Sequence, residues 1–167
     1  IRIATELAYP KPFLYQALQA FYPISRGSRV QIIDTVLTGT SEIITQKKAD
    51  LVITGVVPKG YLSEPLYVTR FIPVVGCQHP LASIDSLDQN ELSQQLQIVI
   101  RDTGQKPAEN AGWLKAEQRW TVGNFYEAMV ILQRGLGFCW LPDFIVQQAL
   151  QDGVLVRLQL KQSTERQ

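Results

Sequence analysis

Few residues in this chain have the types and spacing that chemistry needs, and the most suggestive sit in the run RGLGFCWLP, Arg134 to Pro142. Gly135 and Gly137 are spaced like the start of a dinucleotide-binding loop, where glycines let backbone approach a pyrophosphate. That chemistry requires a strand, then the glycine loop, then a helix whose first N–H groups meet the phosphate. Here a helical pattern precedes the glycines, an apolar run follows them, and Trp140 stands where the third glycine is needed. The carbonyls at a helix end repel phosphate. Gly135 is predicted instead to end a helix in the left-handed conformation that glycine adopts cheaply.

The remaining reactive residues are scattered. Cys77 and Cys139 stand far apart without a CxxC partner, and His79 is the only histidine, which leaves a zinc site short of ligands. A single disulfide is one reading of the cysteines. Buried, reduced thiols are the preferred one, because both lie in apolar strand-like runs, FIPVVGCQ and GFCWL. His79 precedes Pro80 in a turn with no Ser or Cys at a motif spacing, and no G-x-S-x-G elbow occurs. Trp113 and Trp120 flank a loop and are read as packing it. We therefore expect no catalytic residues, no metal, no cofactor and no enzyme activity.

Charge narrows the classes further. Lys plus Arg number 16 against 15 Asp plus Glu, a formal net charge of +1, and Lys47–Lys48 is followed by Asp50. No basic field recruits nucleic acid to this stretch of chain. No apolar run reaches the length of a bilayer span, and no signal peptide precedes Ile1, so a cytoplasmic protein is expected. The chain opens without Met directly in a strand, so an excised domain is expected.

The elements that must position any site follow from periodicity. IRIAT alternates as a strand. Phe13, Leu14, Ala17, Leu18 and Phe21 have helical spacing, stopped by Pro23. VQIIDTVL is a second strand, GTSEIITQKKAD a helix with Ile43 and Ile44 inward, and DLVITG a third strand, apolar as buried parallel strands are. This β-α-β-α-β order implies parallel strands. RFIPVVGC, QIVIRDTG, RWTVG, LGFCWL and VLVRLQL read as further strands, and QKPAENAGWLKAEQ as a loop. SIDSLDQNELSQQLQ contains a short helix. NFYEAMVILQR is a helix capped by Asn124, with Glu127 completing a capping-box pattern. PDFIVQQALQD is a helix with Pro142 at its first turn and Gly153 past its end.

Three blocks of this pattern, in order, resemble one family. TVGNFYEAMVILQRGLGFCWLPDFIVQQALQDGVLVRL resembles the C-terminal half of the effector-binding domain of LysR-type transcriptional regulators. ALQAFYPISRGSRVQIIDTVLTGTSEIITQKKADLVITG and QHPLA are similar to earlier blocks of the same domain. The resemblance implies an α/β fold of the type-2 periplasmic-binding-protein kind, two α/β subdomains joined by two crossing segments. It places residues 1–72 plus 142–167 in subdomain I and 73–141 in subdomain II, with the second crossing near Trp140 to Pro142. The family's N-terminal DNA-binding winged helix-turn-helix is absent from this chain. The family's usual further strand and helix are missing after Leu160, where KQSTERQ reads as a polar loop.

The resemblance also implies a function: sensing a small-molecule effector in the cleft between subdomains and passing the signal to DNA-binding heads. The loops at the carboxyl ends of the strands nominate Thr5, Glu6, Thr35, Thr38, Arg101, Asp102, Thr103, Asn124 and Phe125 as lining residues. Each has a plainer reading. Asn124 is adequately explained as a cap and Phe125 as core. Arg101 and Asp102 form either a surface pair or a cleft contact; in the second case Arg101 would meet a carboxylate or phosphate. Glu6 favours an amine or hydroxyl, so the effector's charge is open. The family further implies a homodimer or tetramer, with the first helix of one chain beside the Asn124 helix of another and the strands Val30–Thr35 and Gly137–Leu141 bordering the contact. DNA would be met only through the missing domain. The alternative is a solute-binding protein of a transport system, which shares the fold but would carry an export signal.

Overall fold

The structure is a computed structural model that describes residues 1–105 and 114–161. Residues 106–113 of the expected loop, with Trp113, and the polar tail after Lys161 lie outside the described residues. The chain forms two units: one built from Ile1–Tyr67 and a segment that begins at Asp102, the other from Val68–Arg101 and the later part of the chain.

The first unit is the expected β-α-β-α-β. Strand β1 (Arg2–Glu6) leads to helix α1 (Lys11–Phe21), a 3₁₀ turn over Tyr22–Ile24, strand β2 (Gln31–Thr35), helix α2 (Thr38–Thr45) and strand β3 (Leu51–Ile53). The three strands are parallel in the order β2-β1-β3. The central position of β1 explains why Ile3, Ala4 and Thr5 are all buried. Strand β3 is parallel as expected but not buried: Leu51 is 54% exposed, because β3 is paired on one side only, by β1. Helix α1 buries Leu14, while Phe13 turns to Tyr9 and Tyr67 in a trio of tilted and edge-on rings 5.7–6.4 Å apart.

The second unit is a five-stranded sheet in the order β6-β5-β7-β4-β8, from β4 (Phe71–Gly76), β5 (Leu96–Ile100), β6 (Gln118–Val122), β7 (Phe138–Pro142) and β8 (Leu155–Arg157). Strand β5 runs parallel to β6 and β7, whereas β4 is antiparallel to β7 and β8. Alternation along the central strands feeds two cores. Val74, Cys139 and Leu141 pack with Ala128 and Leu132 of helix α4 (Phe125–Gln133) and Val146 of helix α5 (Asp143–Gln151). Val75 and Phe138 pack on the other face with Leu81, Leu87 and Leu92, the last from the short helix α3 (Gln89–Ser93).

This sheet corrects the expected boundaries. Residues 142–161 do not return to the first unit: Val74, Val75 and Gly76 of β4 pair with Arg157, Val156 and Leu155 of β8, and Leu155 and Leu158 are buried among second-unit residues. The closing strand finds its partner two sheet positions from β5, so no crossing occurs at Trp140–Pro142. Strand β7 lies inside the sheet between β5 and β4, with Phe138, Cys139 and Leu141 at most 2% exposed.

Local signals fare well. Gly135 has φ +78° and its N–H bonds the Leu132 carbonyl at 2.9 Å, closing α4 as the opening run predicted. Asn124 Oδ1 accepts from Glu127 N at 2.9 Å, so the Asn124 half of the expected capping box is formed. A full capping box occurs at Asp88 and Glu91, which begins α3. Pro142 is the residue before α5 rather than in its first turn. Both cysteines are free; Cys139 is buried as expected, but Cys77 is exposed because it follows the last residue of β4, where the chain turns out of the sheet.

Candidate functional site

Parallel strands end in a rim of loops, and β1 and β2 each carry threonine at or near that end. Thr5 and Thr35 are 0% and 1% exposed, so their hydroxyls need partners inside the protein. Thr35 Oγ1 finds Thr40 Oγ1 at 2.8 Å, and Thr40 Oγ1 lies 3.1 Å from Glu6 Oε1. A carboxylate only accepts, so Thr40 gives its one proton to Glu6 and takes one from Thr35. The other Glu6 oxygen, Oε2, accepts from the backbone N–H of Gly55 at 2.8 Å. One carboxylate therefore ties together the end of β1, the first turn of α2 and the turn after β3. Thr5 Oγ1 reaches the Glu6 carbonyl at 3.3 Å.

A second carboxylate serves the same helix. The first N–H groups of a helix have no partner within it and carry its positive dipole end. At α2 they are met by Asp102, more than sixty positions away: Thr38 N and Gly39 N approach its carboxylate at 3.3 Å, and Thr38 Oγ1 at 2.9 Å. Gly104 N donates to Asp102 Oδ1 at 2.8 Å. Thr103 pairs with Val36 through backbone (N to O, 3.2 Å) and side chain (Val36 N to Oγ1, 2.9 Å). Glu42, one turn into α2, accepts from Gln105 N at 2.9 Å. Close approach demands glycine here. A Cβ on Gly39 would lie 1.9 Å from Thr103 Oγ1, and one on Gly104 would lie 2.1 Å from Thr38 Oγ1.

Six nominated residues, Thr5, Glu6, Thr35, Thr38, Asp102 and Thr103, are thus gathered in the first unit around β1, β2 and α2. Arg101 is exposed at the end of β5 in the second unit, its N–H bonded to the Val122 carbonyl at 2.8 Å. Asn124 spends its side chain on the cap of α4, and Phe125 packs half-buried on the core of that unit. Sequence reasoning missed Thr40, the hinge of the hydroxyl chain, and Gly39 and Gly104. The run TGT at residues 38–40 was the available signal: hydroxyls flanking a glycine at a helix start. His79 serves a local purpose, its Nδ1 accepting from Leu81 N at 3.0 Å, and burial lowers its pKa below the usual histidine range. Among the described residues no group of His, Cys, Asp and Glu could hold a metal ion. The arrangement places carboxylates and hydroxyls at the ends of parallel strands, held in place by one another and by backbone N–H groups.

Comparison with known proteins gives the frame for that geometry. The family model described as LysR substrate binding domain matches residues 1–167. A curated relative, the uncharacterized HTH-type transcriptional regulator YeeY of Escherichia coli (strain K12), is 28% identical over 166 residues, covering 92% of this chain and 52% of the relative. The chain thus spans about half the length of that relative. Among solved structures, the regulatory domain of MetR, a LysR family regulator from N. meningitidis, is 20% identical with TM-score 0.68, over 96% of this chain and 77% of that one. The regulatory domain of CcmR from Synechocystis PCC6803, in complex with 2-PG, is 16% identical with TM-score 0.73, over 96% and 80%. The effector binding domain of QuiR in complex with shikimate is 15% identical with TM-score 0.64, over 99% and 83%. At such identities these structures establish the fold alone.

Proposed function

Because the chain belongs to the LysR substrate binding domain family, we propose that it is the effector-sensing part of a LysR-type transcriptional regulator, with the effector read at the strand-end rim of the first unit. The Thr35–Thr40–Glu6 chain carries this reading, since it brings polar groups from β1, β2 and α2 to the carboxyl ends of parallel strands, where open α/β sheets bind ligands. Thr5, Thr38, Asp102 and Thr103 complete the proposed rim. Asn124 and Phe125 are not part of this rim, because they belong to the second unit, where Asn124 caps α4 and Phe125 packs on the core. Complexes of two similar domains with 2-PG and with shikimate support a small metabolite as the effector class.

Sensing in this reading is a population shift. The effector binds one arrangement of the domain better than another, and that difference reaches DNA through a part of the protein outside this chain. The protein is proposed to assemble as a homodimer, to act in the cytoplasm, and to release its effector chemically unchanged. No helix among the described residues is long and apolar enough to cross a membrane.

The test is thermal stabilisation across a metabolite panel. A ligand at about a hundred times its Kd stabilises the folded state by about 2.7 kcal/mol. Glu6→Gln and Thr35→Val should each erase the shift given by a true effector. A shift that survives both rim substitutions overturns the placement.

A further inference from the structure

We propose that Val36–Gly39 and Asp102–Gln105 form a releasable clasp, which opens and closes as one unit while the sheet of the first unit stays folded. The clasp shares Thr38, Asp102 and Thr103 with the proposed rim but does not rest on the effector reading, and its test needs no ligand. Three observations carry it.

The two segments meet through polar contacts from end to end. Val36 and Thr103 exchange backbone and hydroxyl bonds, Asp102 holds Thr38, Gly39 and Gly104, and Glu42 holds Gln105. Of these groups, only Gly39 is buried. Polar bonds near solvent are replaced by water at small net cost, whereas buried apolar area is what makes opening expensive. The neighbouring β1 is of the second kind, with Ile3, Ala4 and Thr5 all buried.

The backbone also holds strain at this point. Leu37, the residue before α2, has φ +53° and ψ −119°, a region glycine tolerates and a leucine side chain disfavours. Leu37 is 44% exposed, so its side chain contributes little packing in return. Opening the clasp lets Leu37 relax. The closed form nevertheless fits closely, as the glycine approaches at Gly39 and Gly104 show. Two well-defined states follow: a closed one made by mutual fit and an open one favoured by relaxation and hydration.

Position gives the device its use. The chain passes from the second unit to the first between Arg101 and Asp102. Closed, the clasp fixes the segment after that passage and answers the first N–H groups of α2 with the chain's own carboxylate. Open, it frees both together.

Amide hydrogen exchange on the chain tests this. The amides of Val36, Thr38, Gly39, Thr103 and Gly104 should exchange with one common opening rate, about tenfold or more above the amides of β1. Asp102→Asn should speed all five together and leave β1 unchanged; Thr103→Val should do the same from the other end of the clasp. Exchange of the five only at the β1 rate overturns the proposal. So does acceleration by Asp102→Asn confined to Thr38, Gly39 and Gly104, which would mark Asp102 as a helix cap and nothing more.

Discussion

The hydroxyl of Thr40 lies 3.1 Å from the carboxylate of Glu6, across 34 positions of sequence, and 2.8 Å from the hydroxyl of Thr35. Thr40 is fully buried, so this hydroxyl has no water to fall back on. Thr40→Val preserves shape but strands two partners at once. A buried polar group left unpaired costs about 1–3 kcal/mol, so urea unfolding of Thr40→Val should show a loss of about that size. Thr40→Ser restores the hydroxyl and should stay near wild type. Equal losses for the two variants would mean that the methyl group, not the hydroxyl, matters at this position.

Gly39 and Gly104 make a paired prediction, because their clashes differ in kind. A Cβ at Gly104 meets chiefly Thr38 Oγ1, at 2.1 Å, the end of a short side chain. A Cβ at Gly39 meets Thr103 Oγ1 at 1.9 Å and also the Thr103 backbone carbon at 2.7 Å. Each alanine substitution should lower stability by about 1–3 kcal/mol through overpacking. Adding Thr38→Ala should recover part of the Gly104→Ala loss, while Thr103→Ala should not recover Gly39→Ala, since the backbone carbon remains. A double-mutant cycle on melting temperatures separates the two cases.

The contrast between these glycines and Gly135 shows what the sequence discloses. Gly135 follows a capped helical repeat, so its left-handed φ could be read from its neighbours alone. Gly39 and Gly104 answer a contact between segments more than sixty positions apart, and nothing local announces it. The same holds for Asp102. Its nomination as a rim residue came from its place after β5, but the helix it caps is set by tertiary structure. Element order was legible because periodicity is local. The domain boundary was not, because the pairing of β8 with β4 depends on which sheet edge is open when the chain returns, and single-sequence patterns do not encode partners. The exposure of β3 escaped for a related reason: an apolar run reads the same inside a sheet and at its margin.

The two thiols should separate cleanly in chemical labelling. Burial pushes the Cys139 thiol up to about 12, and the side chain is closed off within the core of the second unit. Only the thiolate reacts, so Cys139 is inert in the folded protein. Cys77 is free and exposed. Iodoacetamide should modify Cys77 alone under native conditions, and both cysteines in denaturant, as read by mass spectrometry of the intact chain. Native modification of Cys139 at the rate of Cys77 would contradict its burial.

His79 should make stability depend on pH. The residue is 7% exposed, burial lowers its pKa from the ordinary 6.5, and Nδ1 accepts a bond from Leu81 N that protonation would remove. Because the folded value lies below the unfolded one, the unfolded chain takes up the proton first as pH falls. The contribution is complete above 6.5, declines as pH drops below 6.5, and levels off once pH passes the lowered folded value. His79→Asn keeps an oxygen able to accept at this 3₁₀ N-cap but cannot titrate. Urea midpoints between about pH 8 and pH 5 should fall more steeply for wild type than for His79→Asn, with the gap opening below the ordinary histidine value. Parallel profiles for the two proteins would show that His79 takes up its proton equally in the folded and unfolded chains, and that the buried ring plays no part in acid sensitivity.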